Sequence, residues 1–131
     1  MSAQPTKFFE STGQLLTIPE KTTPVYTVTL RDELGNAIGS GEVNELTLTL
    51  INLVDEAIIN LRDNQDVLNA NNVTLSVAGV LTYTLQPADT AIQDQTKAIE
   101  THRAVFYVRY NTTKHWRWQV DFPIQNLCKV T

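Results

Sequence analysis

The stretch RAVFYVRYN at residues 103–111, together with NTTK at 111–114 and HWRWQVDF at 115–122, decides the fold. In the last of these segments, large apolar residues such as Trp116 and Trp118 alternate with polar ones, which is the two-residue period of a half-buried strand. The first segment is fairly apolar on both faces and therefore predicts a central strand. The polar segment between them turns the chain, so we predict an antiparallel hairpin.

The same alternation recurs upstream and predicts further strands. PVYTVTLRD (24–32) and NELTLTLINL (44–53) place apolar residues on one face and threonines on the other, and β-branched residues favour a pleated surface. AIINL (57–61) is short and apolar, and we interpret it as the return strand of a hairpin. NVTLSV (72–77) and GVLTYTLQP (79–87) form another predicted hairpin.

The segments between these strands are polar or rich in turn-forming residues. ELGNAIGSGE (33–42) contains three glycines and predicts a turn region. RDNQDVLNANN (62–72) predicts a loop, and ADTAIQDQTKAIET (88–101) predicts a turn of helix followed by a loop. GQLLTI (13–18) predicts a weak strand, and PIQNLCKVT (123–131) predicts a short tail.

The order of these elements defines the predicted fold class. Strands recur at spacings of roughly 8–12 residues, with hairpin turns and without strand–helix–strand alternation. We therefore predict an all-β fold, an immunoglobulin-like antiparallel β-sandwich of about seven to eight strands with an N-terminal arm. Residues 1–20 are predicted to be this arm, with one weak strand, and residues 21–131 the sandwich domain.

Composition excludes several classes of protein. The chain has 131 residues, which is the size of one domain, and its formal net charge is −4 without a run of Lys or Arg, which argues against nucleic-acid binding. One cysteine, Cys128, excludes an internal disulfide and a tetrahedral thiolate zinc site. The sequence has no signal-peptide pattern and no apolar run of the ~20 residues that span a bilayer, so we expect synthesis in a cytoplasm and no membrane partner.

Candidate catalytic groups are sparse. His102 and His115 lie near opposite ends of the predicted hairpin and could approach each other, but strand-edge histidines are more often plain surface residues. Cys128 is expected to be a packed or half-exposed thiol rather than a nucleophile. Because no nucleophile–base pair is visible, we predict no catalytic residues and no cofactor.

One loop resembles the beginning of a calcium site. Asp63, Asn64 and Asp66 supply oxygen ligands at close spacing, but a calcium loop also needs a central glycine and a terminal glutamate. Neither is present, so a solvated loop is favoured and no metal is predicted.

Trp116 and Trp118 share one face of the last predicted strand, and three roles are open for them. They could be the core face of that strand, an anchor for a protein interface, or a stacking platform for a sugar. The candidate interface residues that we select from the whole chain are Phe8, Phe9, Leu15, Leu16, Trp116 and Trp118.

Four segments carry a resemblance to a known group of proteins: VTLRDELGNAI (28–38), LTLTL (46–50), NVTLSVAGVLTYTLQPADTAI (72–92) and VFYVRY (105–110). Over roughly residues 22–127 the chain resembles small virion structural proteins of tailed bacteriophages, of the neck, baseplate or capsid-decoration type. These proteins combine a TLRDxxGN strand and turn, a GVLT strand that ends in PAD, and a late aromatic strand. The resemblance implies assembly by surface contact and supplies no catalytic residues.

We therefore expect a non-enzymatic structural protein of a tailed-phage virion, at the head–tail neck, in the tail or on the capsid surface. Its expected partners are other virion proteins (capsid, portal, neck or tail) and further copies of itself, and its expected location is the virion after synthesis in the host cytoplasm. The alternative is a carbohydrate-binding or host-adhesion module that uses the tryptophan face and the Asn-rich loop at 64–72. A small enzyme or an accessory subunit has the least support.

Overall fold

A computed structural model describes residues 17–127, and this part of the chain contains strands and turns but no helix that could span a membrane. Eight strands lie within it: β1 Ile18–Pro19, β2 Val25–Thr29, β3 Val43–Asn52, β4 Gln65–Asp66, β5 Val73–Leu75, β6 Val80–Thr84, β7 Ile99–Tyr110 and β8 Lys114–Gln125.

The strands form two sheets. The larger sheet has the order β1-β8-β7-β3-β4, and the smaller has the order β2-β6-β5. Every neighbouring pair is antiparallel except β1 and β8, which are parallel. The all-β sandwich with about seven to eight strands is therefore confirmed, while its immunoglobulin-like character stays a prediction.

One hydrophobic core lies between the sheets and follows from the alternation in the sequence. The Tyr26 ring of the smaller sheet lies 6.1 Å from the Phe106 ring of the larger sheet, and Trp118 stacks on Phe106 at 4.9 Å. The indole nitrogen of Trp118 donates a 3.2 Å hydrogen bond to the Tyr26 hydroxyl. Each aromatic pair contributes about 0.5–1.5 kcal/mol beyond the burial of its area. These contacts fix how the two sheets face each other.

The predicted hairpin at the end of the chain is confirmed. β7 and β8 pair without interruption from Ile99 opposite Gln125 to Tyr110 opposite Lys114. β7 lies between β8 and β3, as its two apolar faces predicted. The turn is closed from outside the hairpin, because the Asn44 side-chain oxygen, at an irregularity in β3, accepts a 2.7 Å hydrogen bond from the Thr112 amide.

The predicted return strand at 57–61 is wrong. Ile58 forms only an isolated bridge with Ile51, and Asn60 and Leu61 have φ of 55° and 57°. A left-handed backbone cannot continue a strand, so pairing with β3 is taken over by β4 inside the predicted loop.

The predicted turn of helix within 88–101 is also wrong. The Glu100 carboxylate accepts hydrogen bonds of 2.8 Å from the amides of Gln93 and Asp94, and the Asp94 carboxylate accepts one from the Thr96 amide. Side chains therefore satisfy amides that a helix would have used, since Asp and similar residues compete locally with the helical pattern. Residues 99–101 belong to β7 instead.

The last strand extends past the predicted start of a tail at Pro123. β8 continues to Gln125, because the Pro123 nitrogen lies on the side of β8 that faces away from β7. Proline is tolerated on an edge strand, where its missing amide leaves no ladder bond unmade. At the other end, the predicted weak strand 13–18 is described only at Thr17 and at Ile18, which begins β1.

Candidate functional site

The two tryptophans lie on the core side of β8. Trp118 is 7% exposed and belongs to the core, and Trp116 is partly buried against it. The Trp116 indole nitrogen is buried without a hydrogen-bond partner. This placement matches the core role that the sequence allowed, and it gives a sugar no exposed pair of rings to stack on. The other candidate interface residues, Phe8, Phe9, Leu15 and Leu16, lie outside the described residues, as does Cys128.

The two histidines do not come together. His102 lies opposite Phe122 and His115 opposite Arg109, at opposite ends of the β7–β8 hairpin. His115 is exposed, and its Nδ1 lies 2.7 Å from the Tyr107 hydroxyl.

The Asp63–Asp66 loop uses its oxygens for local structure. The Asp66 carboxylate accepts the Leu68 amide at 3.1 Å, and the Asn64 amide donates to the Thr49 hydroxyl at 2.9 Å. Within residues 17–127, no group of three His, Cys, Asp or Glu side chains is placed to hold a metal ion.

A buried ion pair, Arg62–Asp89, is the most highly connected polar group that sequence reasoning missed. The Arg62 side chain is 2% exposed and the Asp89 side chain is fully buried. The guanidinium donates from Nε to Oδ1 at 2.7 Å and from a terminal nitrogen to Oδ2 at 3.0 Å. Such a two-bond fork is the strongest geometry for this pair. Asn60 and the Gln86 amide each donate a further 2.8 Å bond to the carboxylate.

Arg62 also binds the loop that follows it. Its guanidinium donates to the Gln65 side chain at 2.6 Å, to the Asn71 carbonyl at 3.0 Å and to the Asn72 side chain at 3.0 Å. It lies 5.3 Å from the Tyr83 ring centroid, within the range of a cation–π contact. One side chain thus fixes the connections before β5 and after β6.

The protonation states agree with an ion pair. Burial alone would raise the pKa of Asp89, but hydrogen bonds from Arg62, the Gln86 amide and Asn60 outweigh burial and lower it below its ordinary value of 3.8. For Arg62, burial opposes the charge, and the hydrogen bond to Asp89 still raises the pKa of the guanidinium. Burial and the nearby Asp89 charge raise the pKa of Tyr83 well above 10.0.

A second buried pair, Glu100–His102, lies at the start of β7. His102 is fully buried, its Nε2 is hydrogen-bonded to the Glu100 carboxylate, and its Nδ1 lies 2.8 Å from the Asp89 carbonyl oxygen. A carbonyl oxygen only accepts, so Nδ1 is the donor there. Both glutamate oxygens also accept backbone amides from Gln93 and Asp94. The pair therefore fixes the backbone at Asp89, Gln93 and Asp94.

A cleft of about 220 Å³ lies beside this pair, at the end of the larger sheet. Its apolar wall comes from Leu53, Val54 and Ile99, and its polar rim includes Asp55 and Lys97. Asp94 and Glu100 also line the cleft, and their carboxylates accept backbone amide hydrogen bonds, so the cleft combines apolar surface with mixed charge.

The outward face of the larger sheet carries three arginines and two aromatic rings on β7 and β8, which we call the arginine–tyrosine face: Arg103, Tyr107, Arg109, His115 and Arg117. Arg117 lies 5.1 Å from the centroid of the Tyr107 ring, opposite it on β8. Arg103 is paired with Asp121 by two bonds of 2.8 and 3.0 Å.

The three arginines of this face differ in their carboxylate partners. Arg109 lies 3.7 Å from Glu45, so two of the three arginines have a carboxylate partner. Arg117 has none among residues 17–127. Asp66 on β4, opposite Thr47, is a third carboxylate on the outward side of the larger sheet, so the three arginines there are matched in number by carboxylates.

Comparison of the chain with known protein families, with characterised proteins and with solved structures finds no match.

Proposed function

We propose that this chain is a non-enzymatic structural protein of a tailed-phage particle, which assembles with other virion proteins and with its own copies through the arginine–tyrosine face. The observation that carries the proposal is the ordered contact of Arg117 with Tyr107 on the outward side of a five-stranded sheet. Tyr and Arg, together with Trp, are the residue types most enriched at the energetic centres of protein interfaces.

The side-chain contacts within this face also support the proposal. The Tyr107 hydroxyl lies 2.7 Å from His115 Nδ1, the Arg117 guanidinium lies 5.1 Å from the Tyr107 ring centroid, and all three residues extend from paired strands. Binding costs free energy when side chains lose their freedom, at about 0.5–1.5 kcal/mol for each one that becomes ordered. Side chains that are already ordered avoid most of this cost.

The strand order supports the predicted immunoglobulin-like type of sandwich. In that fold one sheet contains the strands named B, E and D, and the other contains G, F and C, with C′ added beside C in the variable type. Here β2-β6-β5 and β8-β7-β3-β4 have the same sequential places in the chain and the same neighbours. We infer an immunoglobulin-like sandwich of this kind.

The buried polar groups are compatible with a non-enzymatic role. Arg62 with Asp89, and His102 with Glu100, are satisfied by protein partners and are closed to solvent. Their presence is explained by folding alone. The carbohydrate-binding alternative relied on Trp116 and Trp118, and the inward direction of both side chains gives it no supporting contact.

Incorporation of variants into particles tests the proposal. The double substitution Tyr107→Ala with Arg117→Ala removes the central contact of the face, and we expect the number of copies per particle, measured by quantitative peptide mass spectrometry, to fall about tenfold or more. A matched control is Thr27→Ala with Thr82→Ala, a cross-strand pair on the outward side of the smaller sheet.

Both double variants must first be shown to be folded, with a urea unfolding midpoint close to that of the unmodified chain. Equal incorporation of the two double variants at the unmodified level would overturn the role of the arginine–tyrosine face.

A further inference from the structure

One row of residues across the larger sheet has a positive charge at one end and a negative charge at the other. Arg117 on β8 lies opposite Tyr107 on β7. Thr47 on β3 lies opposite Tyr107 on one side and opposite Asp66 of β4 on the other. The row points outward, because the residues before and after Thr47 in β3 are buried in the core. Four strands therefore place these two charges on the same face of the sheet.

Neither of these two charges is neutralised within residues 17–127. Arg117 and Asp66 are both exposed, and neither belongs to any ion pair in this part of the chain. The Arg117 guanidinium contacts the Tyr107 ring, and the Asp66 carboxylate accepts the Leu68 amide. Three strand spacings of about 4.8 Å separate the two ends of the row by about 14 Å, so each charge lacks a partner of opposite sign.

We propose that the partner at the arginine–tyrosine face is a second copy of this chain, related by a two-fold axis parallel to the strands, so that Arg117 of each copy pairs with Asp66 of the other. This inference rests on the proposed function, because it names the occupant of the same face. The argument for a second copy is charge complementarity, since the face carries both the cation and the carboxylate that would meet.

The direction of the axis follows from the strand order. Two sheets that pack face to face lie about 10 Å apart with their strands nearly aligned. A two-fold axis between them and parallel to the strands places β8 against the partner's β4, and β7 against the partner's β3. Each row then faces its own copy in reverse order, which brings Arg117 to the partner's Asp66. An axis along the row would keep the order and place Arg117 against the partner's Arg117.

The neighbouring row is complementary under the same axis. Arg109 on β7 lies opposite Glu45 on β3, and their side chains are 3.7 Å apart. Because β7 faces the partner's β3, Arg109 of each copy meets Glu45 of the other, and the axis passes through a group of two cations and two carboxylates. In a two-fold interface each such contact occurs twice.

The size of the face predicts a reversible dimer. It spans about 14 Å across the strands and, from the Arg109 row to the Arg103 row, about 20 Å along them. Such a surface falls at the lower end of specific interfaces, so we expect a dissociation constant in the micromolar range. In a particle with many copies, weak contacts of this kind add up.

Charge reversal tests the pairing in the full chain. Arg117→Glu places two carboxylates against each other in a homodimer, and Asp66→Arg does the same with two guanidinium groups. We expect each single variant to raise the dissociation constant, measured by sedimentation equilibrium, at least ~10-fold. An equimolar mixture of the two variants should form a heterodimer close to the unmodified affinity, because both of its contacts then join opposite charges.

The matched control is Lys97→Glu, which changes the net charge as much as Arg117→Glu but lies at the rim of the cleft, and it should leave the dissociation constant unchanged. Circular dichroism and the urea midpoint establish that each variant is folded. If Asp66→Arg does not fold, the comparison of Arg117→Glu with Lys97→Glu still decides whether Arg117 lies in the dimer interface.

Two results would overturn the second copy as partner. One is a chain that stays monomeric up to on the order of 1 mM, and the other is a dimer that neither charge reversal weakens. A mixture of folded variants that fails to associate would overturn the two-fold pairing of Arg117 with Asp66. A monomeric chain whose incorporation into particles still depends on Tyr107 and Arg117 would leave the proposed function standing and assign the face to a different virion protein.

Discussion

Loss of charge at Asp89 should destabilise the domain more than any other single removal of charge that we can design from this structure. Asp89→Asn preserves the size of the side chain but removes the negative charge that faces Arg62 at 2.7 Å. The guanidinium is 2% exposed, so it cannot recover solvation by turning outward. In either orientation the new amide group directs a donor towards Arg62, and it also meets a second donor, the Asn60 side chain or the Gln86 amide.

The expected loss of unfolding free energy follows from the burial of the Arg62–Asp89 pair. Breaking a buried ion pair by removing one partner costs about 3–5 kcal/mol, because the remaining charge is left uncompensated. A domain of ordinary stability has about 5–15 kcal/mol in total, so this loss is a large share of it. With a urea dependence of about 1.5 kcal/mol per molar, the unfolding midpoint should fall by about 2–3 M.

The matched control is the same substitution in an exposed pair. Arg103 and Asp121 form the same two-bond fork on the outward face, with side chains 28% and 35% exposed. Surface pairs contribute about 0–1 kcal/mol, so Asp121→Asn should shift the midpoint by less than about 0.7 M. Equal shifts for the two variants in urea denaturation would refute the argument from burial.

A double-variant cycle measures the interaction energy between Arg62 and Asp89 separately from the other effects of each substitution. Arg62→Met combined with Asp89→Asn removes both charges, so its cost should be smaller than the sum of the two single costs, and the difference measures the coupling between them. Additive costs would show that the two charges act independently.

Three further outcomes are expected. Gly39→Ala should lower the urea unfolding midpoint, because a Cβ at this position would lie 2.0 Å from the Val77 carbonyl oxygen. At Gly41 a Cβ meets no atom within 4 Å, so Gly41→Ala should leave the midpoint nearly unchanged, and equal midpoints for the two variants would contradict this steric argument. Folding lowers the pKa of Asp89, so the contribution of this carboxylate to the free energy of unfolding is complete well above pH 3.8 and is lost as the pH falls below that value. The loss of stability in acid should therefore be shallower in Asp89→Asn than in the unmodified chain. Burial raises the pKa of Tyr26 from 10.0 to about 12, so the free energy of unfolding should fall as the pH rises through this interval. Tyrosinate absorbance of the folded protein should show Tyr26 losing its proton near pH 12 rather than near pH 10.

The regular strands could be predicted because their signal is local. Burial of one face requires an apolar residue at every second position, and Leu46, Leu48 and Leu50 show this directly in the sequence. The hairpin of β7 and β8 was predicted for the same reason. Where the backbone takes left-handed values, as at Asn60 and Leu61, apolar composition alone misled the prediction of a strand.

The buried Arg62–Asp89 pair could not be predicted, because its two residues are distant in sequence and lie in segments whose composition is typical of exposed loops. Arg62 and Asp89 are separated by 27 positions, one in an Asn-rich loop and the other after a proline. Charged residues in polar loops are usually exposed, and no local pattern marks the exception. The abundance of asparagine at 60–72 is the one available signal, since Asn tolerates left-handed backbone and supplies side-chain hydrogen bonds for a compact loop.

The parallel pairing of β1 with β8 could not be predicted either, because β1 is only two residues long. The roles of the tryptophans were left open by the sequence, because period two shows that Trp116 and Trp118 share a face but not which face is buried. The stacking of Trp118 on Phe106 answers that question for the described structure.

The most direct test of the central proposal is quantitative peptide mass spectrometry of purified phage particles produced by the genome that encodes this chain, with copy number scaled to the major shell protein. A structural role predicts a fixed number of copies in every preparation: hundreds for a capsid-surface protein, and on the order of a dozen for a neck or tail protein. Absence of the chain from intact particles, while it is abundant in the infected cell, would contradict the proposal.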